Sequence, residues 1–233
     1  TVTATDTNGA SITDTYTLTV NNTNDAAIIA GTTTGAVTED ASTTTATGTL
    51  THTDVDANND ANVFTAVSTA TDSANSYGTY TMSAAGVWTY TLDNTNSTIN
   101  ALAASATTTD TFAVTAEDGT SQTVTVTITG ANDTPTISTA ILDTFTNEDA
   151  VYSYDTSSYF SDVDTGDTLT YSATLSDDSA LPSWLSINST SGVLSGTPEN
   201  ADVGAINVTV TATDTNGASI TDTYTLTVNN TND

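Results

Sequence analysis

Not one lysine or arginine occurs in the 233 residues, against 28 aspartates and glutamates and a single histidine, so the formal charge is -28. A phosphate backbone or an anionic lipid surface is held by Lys and Arg, so nucleic acid and acidic membranes are poor partners for this chain. Lys-to-Asn crosslinks are chemically impossible. Cysteine is missing as well, which removes disulfides and thiolate metal sites. There is no run of about 18 apolar residues and no basic-then-apolar leader, so the stretch is expected neither to insert into a membrane nor to carry its own export signal. Carboxylates this numerous repel one another over roughly 10 Å at 0.1 M salt. The compact counter-charge that Asp, Asn and carbonyl oxygens recruit is a hard cation such as Ca2+; screening by salt alone is the simpler alternative.

What the chain does have is repetition. Residues 1–25, TVTATDTNGASITDTYTLTVNNTND, recur letter for letter as residues 209–233, an offset of 208. Such identity implies a tandem array of 208-residue units. A shorter mark, VNNTND at 20–25, ITGANDTP at 128–135 and VNNTND again at 228–233, ends three alternating segments. It divides the chain into a fragment, 1–25, and two units, 26–133 and 134–233, whose lengths together restore the 208-residue offset.

The periodicity is that of strands. Val124, Val126 and Ile128 alternate with Thr123, Thr125, Thr127 and Thr129, and the same reading turns Val208, Val210 and Ala212, and Trp88, Tyr90 and Leu92, toward a core. Turn pairs at Asn8-Gly9, Ala85-Gly86, Asp118-Gly119, Ser191-Gly192 and Asn216-Gly217 separate the runs. The expected fold is all-β, with tandem antiparallel Ig-like or cadherin-like β-sandwiches. Thr95–Thr108 is the one segment where a short helical turn fits. Residues 1–20 supply only a final hairpin, whose Ile12, Tyr16, Leu18 and Val20 should face strands of a preceding unit.

At this point the motifs resemble two bacterial surface-repeat families. Residues 36–135 are similar to VCBS-type repeats through GTLTHTDVDANND, YGTYTMSAAGVWTYTLDNTNSTINAL and TDTFAVTAEDGTSQTVTVTITGANDTP. Residues 134–233 resemble dystroglycan-type cadherin-like repeats with an Ig-like fold, through FSDVDTGDTLTYSA, LPSWLSINSTSGVLSGTPENADVGAINVTVTATDTNGAS and NNTND. The resemblance implies an extracellular or cell-surface location, calcium, and a spacer role in giant adhesins. Two departures are His52 at an apolar strand position and Ala26 in place of a proline after Asp25.

In such a sandwich the entry linker, the second-to-third-strand loop and the final hairpin share one end. For 26–133 this gathers Asn24, Asp25, Asp54, Asp56 and Glu117 or Asp118. For 134–233 it gathers Asn132, Asp133, Asp162, Asp164 and Asp214. In each Asp-Val-Asp, strand alternation would put the carboxylates on one side and Val55 or Val163 in the core. Glu39 should reach the Asn132-Asp133 junction from the opposite end, and Glu148 the junction at Asn232-Asp233. The competing reading is that these Asp and Asn residues only shape tight turns.

No enzyme is expected. His52 with Asp54 nearby lacks a nucleophile-elbow motif, and it reads as a partly buried strand residue. Trp88 and Trp184 read as core before sugar platforms, and the Thr rows as strand surface before an ice-binding face. Asn-X-Ser/Thr patterns at Asn21, Asn96, Asn132, Asn188, Asn207 and Asn229 matter only where the modifying enzyme exists. The sequence thus points to a calcium-stiffened spacer whose partners are adjacent copies of the same repeat in a filament. The alternative is a carbohydrate- or partner-binding adhesion module.

Overall fold

A computed structural model of the chain describes residues 1–56 and 63–232. The fold is all-β, with two sandwiches in series. Ahead of them lies a lone hairpin, β1 (Val2–Thr5) and β2 (Ser11–Asp14). It keeps the register of its identical copy: Val2 lies opposite Asp14 as Val210 lies opposite Asp222. What differs is cover. Tyr16 is 66% exposed whereas Tyr224, the same residue one repeat later, is 3% exposed.

The first sandwich runs from β3 (Ile28–Gly31) through β4 (Thr34–Thr38), β5 (Thr45–Thr53), β6 (Val67–Asp72), β7 (Gly78–Met82), β8 (Val87–Leu92) and β9 (Thr107–Thr115) to β10 (Ser121–Thr129). Its sheets have the orders β3-β5-β8-β7-β6 and β4-β10-β9. Alternation decides what they enclose: Val124, Val126 and Ile128 of β10 and Trp88, Tyr90 and Leu92 of β8 are buried. Trp88 packs edge-on to Phe112 and donates its indole N–H to the Thr32 carbonyl at 2.8 Å. The strand opposite it must leave room, because a Cβ on Gly48 would sit 2.5 Å from the indole ring.

Asp110 is fully buried beneath this core. Its carboxylate accepts from the Tyr90 hydroxyl at 3.0 Å, the Ser73 hydroxyl, and the Asn75 and Thr111 amides at 3.1 and 2.8 Å. Four donors replace the missing cation. In the 95–108 segment a single turn closes from Asn100 N–H to the Asn96 carbonyl at 2.9 Å and buries Ile99. It does not continue as a helix: further on the Leu102 amide returns to the Ile99 carbonyl and the Ala106 amide to that of Ala103, tighter three-residue turns.

The second sandwich comprises β11 (Thr136–Ile137), β12 (Thr144–Asn147), β13 (Tyr152–Asp155), β14 (Phe160–Ser161), β15 (Thr170–Leu175), β16 (Leu185–Ile187), β17 (Val193–Gly196), β18 (Gly204–Thr213) and β19 (Ser219–Asn229). Sheets of order β12-β19-β18-β15 and β13-β17-β16 close over Leu194, Val208, Val210, Tyr224 and Leu226, and β11 pairs with β14 at the entry.

Among the described residues, strand pairing is antiparallel except at one place in each unit. β4 runs parallel to β10, and β12 runs parallel to β19. An early strand and the last strand therefore finish at the same end, which brings the acidic pairs after β4 and β12 beside the outgoing linkers. Glu39 N–H donates to the Thr129 carbonyl and Glu148 N–H to that of Asn229, each at 3.0 Å.

Candidate metal centre at the junction between the units

The linker Ala131–Asp133 is gripped from both sides. From the first unit, Glu39 accepts the Ala131 amide at 2.9 Å. From the second, Asp164 accepts the Asp133 amide at 3.0 Å, and Asp214 accepts the Asn132 side-chain amide at 2.8 Å. The Thr165 amide also donates to the Ala101 carbonyl at 3.0 Å, joining the units directly.

Local chemistry sets the loop. Asp162 accepts the Asp164 amide at 2.9 Å, the short polar turn in which a side chain replaces a backbone partner. Asp214 holds its own hairpin in the same way, accepting the amides of Asn216, Gly217 and Ala218. The sequence reading of Asp-Val-Asp as strand is corrected here. Neither segment is strand, so alternation does not apply: Val55 is 82% and Val163 42% exposed, while Asp56 and Asp164 are buried. The turn-forming role of Asp and the gathering of carboxylates are therefore both true of the same residues.

These turns use only part of each side chain. Glu39 Oε2, Asn132 Oδ1, Asp162 Oδ2, Asp164 Oδ1 and Asp167 Oδ2 are buried with no hydrogen-bond partner among the described residues. Glu39 is 2% and Asp164 4% exposed. A buried anionic oxygen left unpaired costs several kcal/mol unless protonated or given a cation. Oxygens of Asp162, Asp167 and Asp214 lie within 4.8 Å of one another. Asp167 was not among the sequence candidates; the acid three residues beyond Asp164 was the available signal.

Electrostatics agrees with the geometry. Burial, opposed by the Ala131 hydrogen bond and aided by Asp133, Asp40 and Asp164, pushes the Glu39 carboxyl up to about 7. Burial first, then neighbouring carboxylates, also raises Asp133; burial, opposed by the Asp133 amide and aided by Asp162, Asp167 and Asp214, raises Asp164. Asp214 goes the other way: burial would raise it, but Asn132 and three amide donors outweigh that and hold it low. All of these donors are hard oxygens and they come from both units, a set that suits Ca2+, which takes about six to eight oxygens.

The other junction is built differently. Asp25 N–H donates to Asp56 and Asp56 N–H to Asp54, both at 2.8 Å, repeating the Asp133, Asp164 and Asp162 pattern. Asn22 occupies the remaining Asp56 oxygen at 2.7 Å. Asn24 donates to the Asp25 carbonyl at 3.0 Å. Asp118 accepts from Ala27 and from the Thr120 amide and hydroxyl, and these bonds, the Thr120 hydroxyl first, draw its carboxyl down to about 2. Glu117 is exposed beside it, its amide donating to the Val63 carbonyl at 3.1 Å.

At the far end of the second unit Glu148, also buried, accepts the Thr231 amide at 2.6 Å and leaves Oε2 without a partner among the described residues. Asn232 is exposed, and Asp233 lies outside the described residues. His52 is buried, its Nε2 at 2.9 Å from the Val63 carbonyl and its ring edge-on to Phe64. Trp88 is core, and Trp184 is half-buried against the second core. Among the described residues no helix is long and apolar enough to cross a membrane.

Comparison with known proteins follows the two units. Residues 24–130 match the model of the "Bacterial cadherin-like domain" family, and residues 134–229 that of the "Putative Ig domain" family. The extracellular cadherin domains 1–5 of protocadherin gamma B2 superpose with a TM-score of 0.60 at 20% identity, over 91% of this chain and 41% of that one. Domains EC22–24 of mouse cadherin-23 superpose with a TM-score of 0.55 at 18% identity, over 88% of this chain and 65% of that one. This chain therefore spans less than half of the protocadherin structure. No curated protein matches it in sequence.

Proposed function

We propose that these units are spacer modules of a long extracellular adhesin or surface filament, stiffened by Ca2+ at the junctions between units. The reading rests on one observation above the rest: buried, partnerless oxygens from both units converge on the linker Ala131–Asp133. Glu39, Asn132, Asp133, Asp162, Asp164, Asp167 and Asp214 would hold the ion. Its positive charge would replace mutual repulsion by shared attraction, so that the linker ceases to be a hinge.

The finer reading divides the chain after Asp25 and after Asp133, the first unit being of VCBS type and the second of dystroglycan type. Its partners are neighbouring copies of the repeat, with Glu148 serving the next junction at Asn232-Asp233 as Glu39 serves its own. No catalytic role is assigned. Calorimetric titration of chelator-stripped protein should show heat of calcium uptake together with a rise in melting temperature. Neither heat nor a melting shift would overturn the reading.

A second reading, binding of a carbohydrate, has one observation in its favour. Trp184 lines a groove of about 270 Å3 with Pro182, Asp202, Gly204, Ile206 and Val228. Glycan binding lost in Trp184→Ala would support it; the buried Trp88 gives it none.

A further inference from the structure

The two kinds of junction differ in their free carboxylates, and one cause is visible in the final hairpins. Ala116 N–H closes onto the Thr120 carbonyl at 2.8 Å and Asp214 N–H onto that of Ala218 at 3.0 Å, and Gly119 and Gly217 turn at φ +93° and +95°. The frames coincide, so Ala116 occupies the place of Asp214 and Asp118 that of Asn216. A buried methyl group stands in the first unit where the second aims an acid at the linker.

The entry residue explains the exchange. Two residues past Asp133 stands Pro135, which has no N–H to satisfy. Two past Asp25 stands Ala27, whose N–H is taken by Asp118 at 2.9 Å. The acid of the first hairpin is thus spent on the backbone. Asp56 is likewise spent on Asn22 and Asp25, leaving Asp54 Oδ2 as the buried, partnerless carboxylate oxygen of that cluster among the described residues. Three residues beyond Asp56 the chain carries Asn59, followed by Asp60, in place of Asp167; both lie outside the described residues.

We propose that the junctions take up calcium unequally. The Asn132-Asp133 junction fills first, and the Asn24-Asp25 type, poorer in free carboxylate among the described residues, fills only at higher calcium. Between the two concentrations an array would alternate locked and compliant joints. The inference rests on the calcium reading above.

The test uses this chain followed directly by a second copy of residues 26–233, so that a junction of the Asn24-Asp25 type, now formed by Asn232-Asp233, has a whole unit on either side. Calorimetric titration from the chelated state should resolve two classes of site separated by roughly tenfold or more in affinity. Asp214→Ala in both copies should abolish the tight class. Ala116→Asp combined with Asp118→Asn should move the weak class toward the tight one, its melting in chelator confirming that it folds. A single class of equal affinity, or a weak class unmoved by a folded Ala116→Asp/Asp118→Asn variant, overturns the inequality and leaves the calcium reading standing. No heat from any variant overturns both.

Discussion

Glu39 and Asp164, one from each unit, hold the same three-residue linker by its amides: Glu39 accepts from Ala131 and Asp164 from Asp133. Each keeps its second oxygen buried and without a hydrogen-bond partner among the described residues. The parallel pairing of β4 with β10 makes this possible, because it ends the Glu39 strand beside the outgoing chain.

Burial raises the Glu39 carboxyl from 4.5 to about 7. In calcium-free protein the native state then keeps a proton that the unfolded chain has already released. The contribution to stability is complete below about pH 4.5 and is lost as pH rises through about 7. Melting in chelator should therefore fall between pH 5 and pH 8, by the equivalent of roughly 1–3 kcal/mol from this group. Glu39→Gln, which cannot ionise, should flatten that slope; an unchanged slope would contradict the assignment.

Asp167 became visible only in three dimensions, with one oxygen on the Thr215 hydroxyl and the other without a hydrogen-bond partner among the described residues. Asp167→Asn keeps the shape and removes the charge. Calcium affinity at the junction should drop by roughly tenfold or more, measured by calorimetry, with melting in chelator unchanged or raised.

How much of this was legible in the sequence depends on what sets each feature. Alternation placed Trp88, Tyr90, Val126 and Val210 correctly because a strand's side chains follow a period of two wherever the backbone stays in a sheet. The same rule failed at Val55 and Val163, where Asp54 and Asp162 bond the amides two residues on and bend the chain out of the sheet. The reach of Glu39 to the Asn132-Asp133 linker was legible from the family resemblance. The commitment of Asp118 to the backbone was not, since it is a contact with the Ala27 amide 91 residues earlier in the chain. Asp110 gave no signal, because three of its four donors, Ser73, Asn75 and Tyr90, stand 20 to 37 residues before it in the chain.

Asp110→Ala should remove the shared acceptor of Ser73, Tyr90, Asn75 and Thr111 and cost about 3 kcal/mol or more in denaturant unfolding. Calcium affinity of any population still folded should be unaltered, since this cluster lies in the first core and not at the linker.

Gly48→Ala would press a methyl group into the Trp88 indole. Overpacking of this kind costs roughly 1–3 kcal/mol, and the expected readout is a lower denaturation midpoint with an unchanged slope.

Small-angle scattering of the chain in chelator and in saturating calcium tests the spacer mechanism most directly. A calcium-bridged linker predicts a longer, straighter particle with a larger maximum dimension in calcium, and loss of that difference in a Glu39→Gln/Asp164→Asn variant. Identical profiles in chelator and calcium, with calcium shown to be bound, would contradict it.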